Sequence, residues 1–260
     1  MNLTTKRFPQ IGVVFGSLAV LVLGSSVIPL VAQDANSGVD IAPTTEPADT
    51  SSFIPSAVGT VWEYRLVAKK FATELERLPN GEMVLPAPKE LLATRRREVV
   101  ATEPFGSATV PLCKYKVSIN GKHVSDEFCE IRAGEVLSYG GKSLVRGDWA
   151  TQELTPAIRT LQADLRRGIH WKAEAQIGDS VRIIRRFDVL GPDTITVPAG
   201  TYNAIRVRFV GQDTSGGMIK RYFWFVHGTG VVKSHAIHYA KGRVALVEIE
   251  ELSLFERGSG

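Results

Sequence analysis

From about residue 58 onward the chain is a run of short, alternating apolar and polar stretches, broken every few residues by Gly, Pro or Asn. TVWEYRLVAKK, REVVATE, VPLCKYKVSI, HVSDEFCEI and EVLSY come first, and IHWKAEAQI, SVRIIRRFDVL, DTITVP, YNAIRVRFVG, IKRYFWFVHG, GVVKSHAIHYA and RVALVEIEELSLF follow. β-branched and aromatic residues at a period of two fit a pleated, half-buried surface. Connections this short force neighbouring strands to pair antiparallel, because a parallel crossover needs a dozen or more residues. Asn120-Gly121 is the sharpest turn signal, since both residues tolerate the positive φ of a two-residue hairpin. The expected fold class is mainly β: a curved antiparallel sheet, closing into a half-barrel or barrel. One stretch reads otherwise. Thr155 suits an N-cap, Pro156 the first helical position and Gly168 the stop, with Ile158, Leu161 and Leu165 on one face at helical spacing. This predicts one short helix linking two halves of the sheet.

Those halves look alike. GTVW at 59–62 and GIHW at 168–171 share Gly-x-x-Trp. Arg96 and Arg185 each open a pattern of paired arginines, short apolar strand, Pro-containing turn and alternating strand. FCEIRAGEVLSY (128–139) aligns without a gap on FWFVHGTGVVKS (223–234), matching Phe128 with Phe223, Ile131 with Val226 and Val136 with Val231. An internal duplication with repeats at 59–140 and 168–253 is expected. Unrelated hairpins would also align in this sparse manner, and that alternative stays open.

The N-terminus carries an address. Lys6 and Arg7 precede the uncharged stretch Ile11 to Ala32, the order of an export signal. The stretch runs about 20 residues, also enough to cross a bilayer. Residues 1–32 are therefore a signal peptide cleaved after Ala32 or an uncleaved anchor, with Gly24, Ser25, Ser26 and Pro29 favouring cleavage. Residues 33–57 are rich in Pro, Ser, Thr and Asp and read as a disordered linker. Residues 58–255 form the β-rich domain. A net charge of +4 over 260 residues is too small and too dispersed for a nucleic-acid partner. Membrane contact is expected only through residues 11–32, if uncleaved.

GTVWEYR, TVPAGTYNAIRV (196–207) and FWFVHGTGVVKS resemble a pattern of exported bacterial β-rich domains of uncharacterised function. That pattern runs Gly-x-x-Trp-x-Tyr, then Val-Pro-Ala-Gly-Thr-Phe, then an aromatic strand ending Gly-x-Gly-x-Val-Lys. Tyr202 stands here in place of Phe, and His227 in place of Pro or Ala. The resemblance covers roughly 59–253 and implies an antiparallel sheet and a periplasmic or extracellular location. It implies no catalytic residues.

The residues themselves assign no catalytic, cofactor or metal site. His235 and His238 lie three apart on a strand, so they point to opposite faces and cannot share a metal. Gly-x-Ser-x-Gly and His-Glu-x-x-His signatures are absent. Cys113 and Cys129 flank the Asn-Gly turn. A strict two-residue hairpin misaligns them by one, and a bulge would bring them opposite each other, so an exported chain is expected to join them in a disulfide. The Arg95–Arg97, Arg166–Arg167 and Arg185–Arg186 groups are solvated strand ends and helix C-terminal charge, or they meet an anionic headgroup or glycan. YFWF (222–225) puts aromatics on both faces of a strand. One set fills the core and the other must meet something else. Trp62, Trp171, Tyr222 and Trp224 are the candidate ligand-binding residues. The function expected is a non-enzymatic envelope protein binding an apolar or amphipathic ligand, or an envelope component such as a lipid or glycan. The alternative is a structural or interaction module, tethered outside the inner membrane, with no small ligand.

Overall fold

The computed structural model describes residues 53–259 apart from 73–74, 80–81, 133, 146, 215 and 241. Residues 1–32, with the expected export segment, and 33–52 lie outside the described residues. The strands in chain order are β1 (Val61–Lys70), β2 (Glu76–Arg77), β3 (Met83–Val84), β4 (Lys89–Glu103) and β5 (Leu112–Ile119). There follow β6 (Lys122–Arg132), β7 (Glu135–Val145), β8 (Asp148–Leu161), β9 (His170–Ile177) and β10 (Val181–Val197). β11 (Gly200–Asp213), β12 (Met218–Val226), β13 (Gly230–Ala240) and β14 (Arg243–Glu256) complete the chain.

Twelve of these strands form one closed barrel in which each pairs antiparallel with its neighbour in sequence. β2 and β3 stand apart as a small hairpin between β1 and β4. Closure comes from β1, which pairs β4 on one side and β14 on the other, from Val61 opposite Glu256 to Lys70 opposite Leu246. Such a wall has no unpaired edge strand. Of the open curved sheet, half-barrel and barrel that the sequence left open, the structure takes the closed barrel.

The linking helix does not form. Thr155 to Leu161 belong to β8, which pairs with β7 and, at Leu154 and Thr155, with β9. The helical spacing that suggested it has another cause. Val136 opposes Leu161 while Leu137 opposes Arg159, so Thr160 is an extra residue, a β-bulge. The bulge resets the alternation, and Ile158 and Leu161, three apart, are both buried. The linker boundary also moves: Phe53 and Ile54, expected in the tether, are buried in the main core cluster, with Phe53 packed on the His227 ring at 4.8 Å.

The two Gly-x-x-Trp starts have the same local geometry. Gly59 and Gly168 both hold positive φ, 86° and 90°. Gly59 N–H donates to the Val99 carbonyl, and Val99 N–H to the Thr60 carbonyl. Gly168 and Val189 repeat the pair, with Ile169 in the place of Thr60. Trp62 then sits on the first barrel strand and Trp171 on the seventh. The Asn120-Gly121 hairpin has both φ values positive, 48° and 77°, as the sequence demanded. Val197-Pro198-Ala199-Gly200 turns β10 into β11, with Gly200 at φ 134°.

Interior and exterior are chemically distinct. The outer faces of β1, β4 and β10 carry ion pairs such as Arg65–Glu251, Arg96–Glu63 and Arg186–Asp188. A hydrocarbon-facing wall needs an apolar belt at these positions. Where β6, β7 and β8 cross, the backbones come closest at Gly140 and Gly141. A Cβ on Gly140 would lie 2.0 Å from the Gln152 carbonyl oxygen, and on Gly141 2.1 Å from that of Asp126. Gly140 also has φ 108°. Gly140→Ala is expected to destabilise the barrel by about 3 kcal/mol or more, read as a lowered urea midpoint with a native-like circular dichroism spectrum at zero denaturant.

Candidate functional site

Inward-facing residues of β1, β4, β6, β7, β8 and β10 to β14 enclose a cavity of about 170 Å³. Its apolar wall is Phe187, Phe209, Phe223 and Phe225 with Ile219, Leu161, Val136 and Val231, and Ile54 reaches in from the N-terminal segment. The YFWF strand now divides: Phe223 and Phe225 line the cavity, while Tyr222 and Trp224 alternate onto the opposite face.

The lumen is also charged. Arg95 pairs with Glu250 and reaches Glu127 at 3.5 Å, and Arg97 meets Glu127 at 3.1 Å. Arg97 also lies over the Tyr115 ring at 3.8 Å. Arg221 reaches Glu248 at 3.5 Å, His238 meets the same carboxylate at 3.1 Å, and Ser234 Oγ donates to Glu250 at 2.9 Å. Burial pushes the Glu250 carboxyl up, but Arg95 and Arg221, with hydrogen bonds from Arg95 and Ser234, outweigh it and hold the group at about 2. Burial raises the Tyr64 and Tyr115 hydroxyls well above their ordinary range, against the opposing charge of Arg97. Both phenols stay neutral. Tyr64 donates to the Val231 carbonyl at 2.9 Å. Arg185 enters the cavity from β10 and is 5% exposed.

The sequence-predicted ligand residues do not line this cavity. Trp62 is buried beside it, donating its indole N–H to the Thr229 carbonyl and packing on Tyr115 and Phe255. Trp171 stacks on Phe187 at 4.7 Å with an interplanar angle of 6°, and donates to the Arg159 carbonyl. It packs beside the cavity wall, as the direct ladder partner of Phe187. Trp224 donates to Asp193 at 2.9 Å and lies under Lys233, with Tyr222 beside it. The structure thus buries Trp62 and Trp171 on the inner side of the wall, sets Tyr222 and a buried Trp224 side by side on the other, and does not gather the four into one site.

The arginine groups divide between the two faces of their strands. Arg96 points outward to Glu63 and Glu98. Arg95, opposite Tyr64, and Arg185, opposite Ala173, point inward from the strands that follow the two Gly-x-x-Trp starts. Aligning Arg96 on Arg185 shifts the register by one, which exchanges the faces of a strand.

Cys113 and Cys129 are directly opposed ladder partners, brought there by a shift between Val117 and Ser118. The bulge anticipated from the sequence exists. The disulfide does not: both are free cysteines. Burial raises both thiols, Cys129 to about 12, with Arg97 opposing the shift. His235 and His238 fall on opposite faces of β13, and among the described residues no cluster of His, Cys, Asp or Glu could hold a metal.

No family model matches the chain and no curated protein matches it. Among solved structures it is similar to a candidate lipoprotein from Parabacteroides distasonis, at 17% identity and TM-score 0.45, over 80% of this chain and 100% of that one. It is also similar to a candidate exported protein with a YmcC-like fold from Bacteroides fragilis, at 12% identity, TM-score 0.45 and the same coverage. Likeness this distant carries no functional inference.

Two outcomes follow from the lumen chemistry. The folded state holds Glu250 below the ordinary carboxyl value of 4.5, so its contribution is complete above that value and is lost as pH falls. Urea midpoints should drop between about pH 5 and pH 2, by on the order of 2–3 kcal/mol from this residue. A protonated, buried Cys129 should resist iodoacetamide at pH 8 in the folded protein and react once the protein is unfolded in urea, counted by intact mass.

Proposed function

We propose that this is a non-enzymatic, ligand-binding protein of the bacterial envelope, which takes a small apolar or amphipathic molecule inside the barrel. The observation that carries the reading is the phenylalanine-walled cavity of about 170 Å³. An engineered apolar cavity of about 150 Å³ binds benzene, so the space suits a ring-sized body. A mixed wall of aromatics and a few polar groups is the usual make-up of a ligand pocket. The closed ladder also argues for the interior as the working surface, because it offers no free edge for a partner strand.

Location outside the cytoplasm is supported by the basic and apolar order of residues 6–32 and by the resemblance of the Gly-x-x-Trp-x-Tyr and Val-Pro-Ala-Gly-Thr motifs. The absence of catalysis is supported by the pairing of lumen groups with one another rather than with a nucleophile. The matched hydrogen bonds at Gly59 and Gly168 support reading the two halves as a duplication.

Thermal unfolding of the purified protein tests the lumen reading. Ring-sized apolar probes such as toluene should stabilise it, by about 2.7 kcal/mol at a hundredfold excess over Kd. Ile219→Phe, which adds bulk to the cavity wall, should abolish the shift. Equal shifts in wild type and variant would place the probe outside the lumen and sink the reading.

A further inference from the structure

The geometry points to a small organic anion as the lumen ligand, a carboxylate on a ring-sized apolar body, with Arg185 receiving its charge. This rests on the reading of the lumen as a ligand site.

Four arginines line the cavity, Arg95, Arg97, Arg185 and Arg221. Arg95 and Arg97 share Glu127, Arg95 also holds Glu250, and Arg221 has Glu248. Arg185 differs. Among the described residues no carboxylate lies within ion-pair distance of it; its buried Nε lacks a hydrogen-bond partner, as do those of Arg97 and Arg221, but those two hold a carboxylate through another nitrogen. Burial first and then the like charge of Arg221 push the guanidinium down to about 10. That value still leaves it charged at neutral pH. A buried, unpaired charge is strongly unfavourable, and one counter-anion would relieve it.

The surroundings select the anion. Arg185 lies over the Phe209 ring at 5.7 Å, and Arg221 over Phe223 at 5.5 Å. A planar guanidinium fork matches a carboxylate in two parallel hydrogen bonds. The flanking rings offer an apolar wall to the body attached to it. With the other three arginines already paired, the lumen lacks one negative charge, which suits a monoanion.

Isothermal titration of the full exported chain in chloride-free buffer, with benzoate, benzamide, toluene and inorganic phosphate, tests this. Benzoate should bind wild type about 10- to 100-fold more tightly than neutral benzamide, the range for one charge-assisted hydrogen-bonded pair. Arg185→Met should lose that preference and still bind toluene, melting at or above the wild-type temperature because an unpaired charge is gone. Arg186→Met, on the outer face, should titrate like wild type. Unchanged benzoate affinity in Arg185→Met, with toluene still bound, overturns the arginine assignment and leaves the lumen reading intact. Failure of both benzoate and toluene to bind wild type overturns both. Phosphate binding as tightly as benzoate overturns the organic ligand in favour of a free inorganic anion. Should Arg185→Met fail to fold, the benzoate preference over benzamide in wild type decides alone.

Discussion

Everything in this protein depends on the ladder between its first and last barrel strands. β1 pairs β14 along its length, from Val61–Glu256 to Lys70–Leu246. Without that seam the twelve-stranded meander is an open, curved sheet with two exposed edges. With it, the residues of one face are gathered inside the barrel and largely withdrawn from water. An arginine on that face then stops being a solvated strand end and becomes a charge that must find a partner. Arg95 is the first case, held by Glu250 of β14 across the seam strand β1. Closure and electrostatics are thus one problem: the same strand that shuts the barrel brings the carboxylate that its neighbours need.

The interior solves most of that problem by itself. Glu127, Glu248 and Glu250 sit among Arg95, Arg97, Arg221 and His238. In a low-dielectric lumen such pairs stand only when hydrogen bonds complete them, as Ser234 does for Glu250. Phenylalanines fill the rest, with Phe187, Phe209, Phe223 and Phe225 each stacked or tilted against a neighbouring ring. The cavity is what remains after these groups have satisfied one another, and Arg185 is the group they leave over. A barrel designed only for stability has no use for it.

How much was legible follows from the reach of each signal. Asn120-Gly121 and Val197-Pro198-Ala199-Gly200 fix their own backbone angles, so both turns are where local chemistry puts them. The bulge that opposes Cys113 to Cys129 could be inferred from a misfit of one residue. The helix could not be avoided by the same reasoning. Residues 155–168 carry every local helix signal, and only the extra residue at Thr160, set by pairing with β7, shows that a three-residue spacing can also arise in a bulged strand. The candidate ligand residues lie off the cavity lining for a similar reason. Trp62, Trp171, Tyr222 and Trp224 were conspicuous by type, but which aromatics of YFWF face inward is a question of register, and register belongs to the pair of strands.

The sequence by itself determined an antiparallel β protein with its turns, its matched Gly-x-x-Trp starts and an inward–outward alternation of period two. These are set by interactions within a few residues, and no distant partner is needed to specify them. Only the tertiary structure decided that the sheet closes, which face of each strand is inside, and that Arg185 lies in the lumen without a carboxylate. Those outcomes rest on pairings between residues up to the full length of the domain apart, where a single-residue shift of one strand exchanges its buried and exposed faces.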